Sequence, residues 1–311
     1  MNTKHLKSFK IYIFLFLLIS VSCEDNDKEK NIINNDSLNT LVPYGIGQFT
    51  FSENAPFTEK PIDVYTFLPD SINKNLAVVF VMHGNSRNGK EYCFEWVETA
   101  QKHQLLLICP NFDELNYPGS ENYQLGGMIQ EDEFIDSTKW TFNVIDSIFL
   151  FLQHNAVTFK KEYGVYGHSG GGQFVHRYAE FTRPSSAKSI IAANSGWYTR
   201  IDTAEIFPYG FKDSPVTKSD IEKILNLPIV ILLGEMDTDP NSSSLRKTEE
   251  AMRQGKHRLE RGNFFFNEAK NYSIKNDISF NWKLQTVPNI GHSNKGMSSS
   301  AGNILNDILN K

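Results

Sequence analysis

The feature that most constrains this chain is a Gly-x-Ser-x-Gly turn at residues 167–171. A short apolar run, 163–166, enters the turn, and a helical pattern leaves it directly. A serine in such a turn has strained backbone angles, and Gly167 and Gly171 give the chain room to bend beside Ser169. The pentapeptide alone occurs by chance in unrelated loops. Between a strand and a helix, it predicts a nucleophile elbow.

Three further segments follow the order that the α/β-hydrolase fold requires. Residues 76–82 form a near-continuous apolar run of the buried parallel-strand type, and this run stops at His83-Gly84-Asn85. A second buried strand, 227–234, leads at once to an acidic segment that contains Asp237. The alternating run 280–287 leads through a short loop to His292. The order serine, acid, histidine is that of α/β-hydrolases and differs from the order in chymotrypsin and subtilisin.

The chemistry of acyl transfer requires these residue types. A serine hydroxyl is a poor nucleophile until an imidazole takes its proton, and a carboxylate must fix the tautomer of that imidazole. We therefore predict Ser169 as nucleophile, His292 as general base and then acid, and Asp237 as the orienting carboxylate. The backbone N–H groups of Gly170 and Asn85 are predicted to form the oxyanion hole.

Asp239 is the alternative to Asp237 as the acid. The usual spacing after the glycine that ends the strand favours Asp237. Asp239 precedes Pro240 and has a structural interpretation of its own, as a side chain that forms a turn.

The rest of the pattern predicts one domain, residues 41–311, with a mostly parallel, doubly wound sheet and helices on both faces. Buried strand patterns alternate with helical ones, which is typical of such sheets. Strands are predicted at 45–51, 62–68, 76–82, 105–109, 163–166, 187–194, 228–234 and 279–287, and helices at 89–104, 141–158, 170–182, within 245–276 and from 297.

The first 22 residues have the pattern of a signal peptide. Lysines precede an apolar segment, 11–21, that is too short to span a bilayer comfortably. This segment ends in a small-residue run into Cys23, which resembles the lipobox at which bacterial lipoproteins are cleaved and acylated. Residues 23–40 are polar and predict a flexible tether. We expect a palmitoylated lipoprotein held by Cys23 in the bacterial outer membrane, on its periplasmic or outer face; an ordinary signal peptide is the alternative.

Charge and cysteine content limit the possible partners. The 36 acidic residues outnumber the 31 basic ones, which argues against nucleic acid as a partner. Besides Cys23, only Cys93 and Cys109 are present, and both fall in apolar segments. We predict two buried thiols, although an oxidising compartment would permit a disulfide. We expect no metal and no cofactor, because no Cys/His metal spacing and no Gly-x-Gly-x-x-Gly motif occurs.

Aromatic residues follow the strand that comes after the elbow, at a place where lids are often inserted. Trp197, Tyr198, Phe207 and Tyr209 are predicted to form a substrate platform, because sugars and aryl groups stack on aromatic faces. The alternative is that these side chains only fix their loop to the domain.

Residues 76 to about 300 resemble the secreted α/β-hydrolases of the polyhydroxybutyrate depolymerase and feruloyl or acetylxylan esterase group. The resemblance lies in Met82-His83-Gly84-Asn85, Gly167-His168-Ser169-Gly170-Gly171, Gly234-Glu235-Met236-Asp237, Gly291-His292 and Trp96. It implies a serine hydrolase that cleaves carboxylic esters through an acyl-enzyme, with acyl or aryl esters on polysaccharides as the expected substrates. A polyester hydrolase, a lipase, a peptidase and a non-catalytic binding lipoprotein are the alternatives.

Overall fold

The computed structural model describes residues 41–69 and 74–310. The predicted signal peptide, Cys23 and the predicted tether all lie outside the described residues. Among the described helices, none is both long and apolar enough to cross a membrane.

An eight-stranded sheet forms the centre of the fold, and its order along the sheet is β1-β2-β4-β3-β7-β8-β9-β10. The first two pairings are antiparallel, and all pairings from β4 to β10 are parallel. β5 and β6 form a separate two-stranded ribbon. The strands are Gly45–Phe51 (β1), Ile62–Leu68 (β2), Ala77–Met82 (β3), Leu105–Asn111 (β4), Ile129–Gln130 (β5), Glu133–Phe134 (β6), Tyr163–His168 (β7), Ala187–Ala193 (β8), Ile229–Gly234 (β9) and Lys283–Val287 (β10).

Helices cover both faces of this sheet, because the central strands are apolar on both sides. In β3 every residue is buried: Val78 and Phe80 pack into one hydrophobic cluster, and Val79 and Val81 into the other. The helices are Gly89–His103 (α1), Val144–His154 (α2), Gly170–Thr182 (α3), Lys218–Leu225 (α4), Glu249–Gln254 (α5), Arg258–Asn276 (α6) and Asn294–Leu309 (α7). α1 and α7 supply the second cluster, whereas α2, α3, α4 and α6 supply the first. The predicted α/β-hydrolase architecture is thereby confirmed.

The sequence analysis predicted no helix between residues 195 and 227, where the structure has α4. Thr217 caps this helix and forms a reciprocal capping box with Asp220. The Thr-x-x-Asp pattern is a helix-start signal, so the sequence did contain the information. α7 also begins three residues earlier than predicted, because Ser293 caps it by accepting the N–H of Gly296.

Cys93 on α1 and Cys109 on β4 are buried and are not joined by a disulfide. Burial raises the pKa of the Cys109 thiol. Both therefore pack as small apolar side chains in the second cluster.

Two fully buried histidines support the loops at the carboxyl ends of the strands. His83 Nε2 accepts the Phe112 N–H at 2.9 Å, so its Nδ1 donates to Gly84 O. His176 Nε2 accepts the Thr199 N–H at 3.1 Å, and its Nδ1 donates to Gly172 O. Protonation would place a second N–H against a backbone donor in each case. Burial also lowers the pKa of His83 to about 4 and that of His176 well below its usual range.

Stability should therefore fall as the pH falls through the range from 6.5 to about 4. In this pH range, His83 binds a proton in the unfolded chain but stays neutral in the folded protein. Each such histidine contributes a slope of up to about 1.4 kcal/mol per pH unit. Urea unfolding at several pH values measures this slope. His176→Gln should reduce the slope, whereas replacement of the exposed His154 by Gln should leave it unchanged. A slope that is equal in wild type and His176→Gln would contradict the assignment.

Candidate active site

Ser169 lies at a sharp turn between β7 and α3. Its backbone angles are φ 59° and ψ −115°, in a region that non-glycine residues seldom adopt. The Ser169 N–H donates to Ala193 O at 2.9 Å, which ties the turn to β8. A Cβ on Gly167 would lie 2.1 Å from Gly171 O, and one on Gly171 would lie 2.1 Å from Met82 O. Both positions therefore require glycine, for the steric reason that the sequence indicated.

Three side chains from separate strand ends meet at this turn. His292 Nε2 lies 2.9 Å from Ser169 Oγ, and His292 Nδ1 lies 2.7 Å from Asp237 Oδ2. The loops after β9 and β10 are joined by a backbone hydrogen bond from Met236 N–H to Ile290 O. This bond holds the segments that carry Asp237 and His292 beside each other. With the Nδ1 proton directed at the carboxylate, Nε2 is free to accept the serine proton.

A buried arginine also faces Asp237, and the sequence analysis did not identify it. Arg258 is the first residue of α6 and is 2% exposed. Its Nη1 lies 3.4 Å from Asp237 Oδ1, on the carboxylate oxygen that His292 does not use. Its Nη2 donates to Ser244 Oγ at 2.8 Å. The cation thus stabilises the charge of Asp237 and fixes the segment that carries Ser244. No motif in the sequence marks this arginine.

Asp239 occupies a different environment. It is exposed, and its Oδ1 accepts the N–H of Asn241 at 2.8 Å. The structure therefore places Asp237 against His292, and it places Asp239 in the turn at Pro240.

Gly170 and Asn85, the predicted oxyanion donors, are neighbours across the site. A Cβ built on Gly170 would lie 3.0 Å from the backbone N of Asn85. The Asn85 side chain accepts a hydrogen bond from Gln124 Nε2, and Gln124 O accepts one from Arg177 Nη1. The segment between β4 and β5 therefore supports the loop that contains Asn85. Neither N–H donates to another group within the part of the chain that the structure describes.

His168, the residue before the serine, is buried under His292. The centroids of the two rings are 4.6 Å apart. His168 Nδ1 lies 3.0 Å from the Tyr92 hydroxyl. Burial, followed by the nearby His292 and Arg258, lowers the pKa of His168 well below its usual range. His168 therefore stays neutral and supports the His292 ring by packing.

The serine opens into a cleft of about 340 Å³. Its walls come from the loop after β3, the first two turns of α1, and the segment around His292. Glu91 and Glu95 are the charged carboxylates among the lining residues, and no lysine or arginine lines the cleft. In the described residues, no group of three or more His, Cys, Asp or Glu side chains could hold a metal ion.

The prediction of an aromatic substrate platform is wrong. Trp197, Tyr198 and Tyr209 are buried, Phe207 is half-buried, and none of the four lines the cleft. Trp197 packs between the guanidinium groups of Arg177 and Arg246, and Tyr198 stacks on Phe265. Phe207 packs against Phe134 and Phe181. These rings fix their loop to the domain, which was the alternative interpretation.

Comparison with solved structures places this arrangement among known hydrolases. The chain is similar to poly(aspartic acid) hydrolase-1 from Sphingomonas sp. KT-1, with 37% identity and a TM-score of 0.81 over 84% of this chain and 98% of that one. It is also similar to a poly(3-hydroxybutyrate) depolymerase from Bordetella parapertussis, with 28% identity and a TM-score of 0.79 over 84% of this chain and 90% of that one. An S-formylglutathione hydrolase from Agrobacterium tumefaciens shares the fold, with 14% identity, a TM-score of 0.54, and coverage of 85% of this chain and 95% of that one.

No protein-family model matches the chain, and no curated protein matches it. The similarity to the Sphingomonas enzyme extends over 98% of that enzyme and 84% of this chain. On this ground, the chain belongs to the α/β-hydrolase family of esterases and depolymerases that contains the poly(aspartic acid) hydrolase and the poly(3-hydroxybutyrate) depolymerase.

Proposed function

We propose that this protein cleaves carboxylic esters by acyl transfer through Ser169. The observation that carries the proposal is the chain of hydrogen bonds from Ser169 Oγ to His292 and from His292 to Asp237. A non-catalytic binding protein would have no need for this arrangement or for the strained backbone at Ser169.

The geometry supports a two-step reaction. Ser169 Oγ attacks the ester carbonyl carbon as His292 Nε2 takes its proton, and the carbonyl oxygen becomes an oxyanion facing the N–H groups of Gly170 and Asn85. The intermediate then collapses, the C–O bond to the leaving alcohol breaks, and His292 returns the proton to that alcohol. Water attacks the acyl-serine in the same way, which releases the acid and restores Ser169. Asp237 balances the imidazolium charge in both steps.

We further propose that the ester is attached to an uncharged polysaccharide. The cleft presents Glu91 and Glu95 beside Ser169, with no lysine or arginine among its lining residues. These carboxylates repel an anionic polymer and can accept hydrogen bonds from hydroxyl groups.

Hydrolysis of a poly(aspartic acid)-type polymer is the second candidate. It is favoured by the 37% identity to the Sphingomonas enzyme. The carboxylates in the cleft oppose it, because a polyanion would have to approach them at the point of reaction.

We also propose that the chain is a lipoprotein of the bacterial outer membrane, anchored by acylation of Cys23. The support is the sequence pattern of residues 1–23 alone.

Ser169→Ala should abolish ester hydrolysis. Alanine and serine have similar steric restrictions on their backbone angles at this turn, so the variant should fold and melt like wild type. Hydrolysis of 4-nitrophenyl acetate and labelling by a fluorophosphonate probe are the measurements, and only wild type should show either. Turnover that persists in folded Ser169→Ala would rule out the serine mechanism.

Asp237→Asn should lower kcat by about 10⁴, the scale set by loss of the orienting carboxylate in serine proteases. It should also lower the melting temperature, because the buried Arg258 loses its charged partner. Asp239→Asn is the matched control: it keeps the oxygen that accepts the N–H of Asn241, so kinetics and melting should both stay near wild type. Collapse of kcat in Asp239→Asn with normal turnover in Asp237→Asn would reverse the assignment.

Cys23→Ala should move the protein from the membrane fraction to the soluble fraction of bacterial cells, because lipid chains on this residue are the proposed anchor. Fractionation and metabolic labelling with palmitate test this. Cys93→Ala is the control and should stay in the membrane fraction, since Cys93 is buried. Membrane association of Cys23→Ala equal to that of wild type would exclude the anchor.

A further inference from the structure

A second cavity lies beside the cleft, along the exposed face of α1. Its volume is about 870 Å³, compared with about 340 Å³ for the cleft. Asn88, Glu91 and Glu95 line both cavities, so the two lie next to each other. We call the second cavity the α1 groove.

The α1 groove is elongated, because its lining follows one side of a helix. Asn88, Glu91, Glu95 and Glu98 are three or four residues apart and therefore lie on one helix face. Ten residues of helix correspond to about 15 Å. A groove of this length exceeds what a small acyl group needs, and it suits a chain that extends away from the ester.

Phe94 gives the groove an apolar surface. Its side chain is 45% exposed, which is unusual for a phenylalanine, and Tyr65 and Val97 line the groove with it. A large aromatic ring left in water beside a reaction cleft is a typical contact for a ring-shaped ligand.

The charges along the α1 groove are balanced. Three cationic residues and three anionic residues line it: Arg87, Lys90, Lys295, Glu91, Glu95 and Glu98. Arg87 is already engaged, since it donates to Phe112 O and Gly119 O and pairs with Glu114. Lys90 lies next to Glu91 in the chain, and Lys295 follows Asn294, which bonds to Glu95, so cations and anions are interspersed and give the groove no net charge of either sign. The arrangement therefore favours a chain without net charge.

Hydrogen-bond acceptors are in excess where the groove adjoins the cleft. Asn88 Nδ2 donates to Glu91 Oε2, while the shielded Asn88 Oδ1 has no donor among the described residues. Glu95 Oε2 accepts from Asn294 Nδ2 at 2.6 Å. A carboxylate can accept several hydrogen bonds, so Glu91 and Glu95, which line both cavities, can accept further ones from a ligand that supplies O–H groups here.

We propose that the α1 groove binds the uncharged, hydroxyl-bearing sugar chain that carries the ester. Ring faces of the sugar pack on Phe94, and hydroxyl groups donate to the carboxylates of Glu91, Glu95 and Glu98. This inference rests on the proposed ester hydrolysis at Ser169 and adds where the remainder of the substrate lies.

Kinetics on two substrates test the proposal. Acetylated xylotetraose reaches both the cleft and the groove, whereas 4-nitrophenyl acetate occupies the cleft alone. Phe94→Ala should reduce kcat/KM for the oligosaccharide roughly three- to tenfold relative to that for the small ester, the range expected for loss of one aromatic contact. This reduction in kcat/KM should come from a higher KM for the oligosaccharide. An equal loss on both substrates, or no loss on either, would overturn the proposal.

Phe159→Ala is the matched control. Phe159 is 47% exposed and has a lysine over its ring, as Phe94 does, but it lines neither cavity. It should change neither substrate's kcat/KM. The compared quantity is kcat/KM for the oligosaccharide divided by kcat/KM for the small ester. If Phe159→Ala lowered this ratio as much as Phe94→Ala, the loss would be a general effect of removing a surface ring, and the proposal would be overturned.

Binding without chemistry separates this inference from the proposed reaction. Calorimetry should detect xylotetraose binding to Ser169→Ala, and binding should weaken in Ser169→Ala/Phe94→Ala. Poly(aspartic acid) should not compete. Absence of xylotetraose binding, or stronger binding of the polyanion, would overturn the groove assignment, even if Ser169 proves to be the nucleophile. Conversely, turnover by Ser169→Ala would overturn the serine reaction while binding still decides the groove.

Discussion

The backbone at Ser169 is the constraint on which the rest of the site depends. The serine can keep φ at 59° only because β7 and α3 approach so closely that Gly167 and Gly171 admit no Cβ. This close approach places the first turn of α3 against the end of β3, where the loop with Asn85 begins. Nucleophile and oxyanion donors are thus fixed by one packing contact. The strain is maintained by the buried parallel strands on either side, which outweigh its cost of a few kcal/mol.

Charged side chains and neutral histidines occupy distinct positions around this turn. Asp237 is held between His292 and Arg258, one partner on each oxygen, in a nearly buried position. His83, His168 and His176 are buried nearby, and burial lowers the pKa of each. The site therefore contains one solvent-reachable imidazole, that of His292, among histidines that pack as neutral rings.

Most of the strands and helices of this fold, and the residues at the strand ends, could be predicted from the sequence, because both depend on local patterns. Apolar runs predicted β3, β7 and β9, and the residues that follow them include Ser169 and Asp237. The surroundings of individual side chains were harder to predict from the sequence. Trp197 and Tyr198 follow a strand near the site, yet Arg177, Arg246 and Phe265 cover their faces, and these partners come from distant segments. Arg258 was missed for the same reason: its value to Asp237 exists only after α6 has packed beside β9.

Two hydrogen bonds limit how the length of one connection can vary. Arg177 donates to Gln124, and Gln124 donates to the Asn85 side chain. The connection between β4 and α2 is long, and long connections are where insertions and deletions are ordinarily tolerated. In this chain it also supports the loop that provides an oxyanion donor. A change of length before Gln124 would therefore displace the loop that contains Asn85 and lower the reaction rate. The largely exposed β5–β6 ribbon lies beyond this contact, so a longer ribbon would leave the support of Asn85 in place.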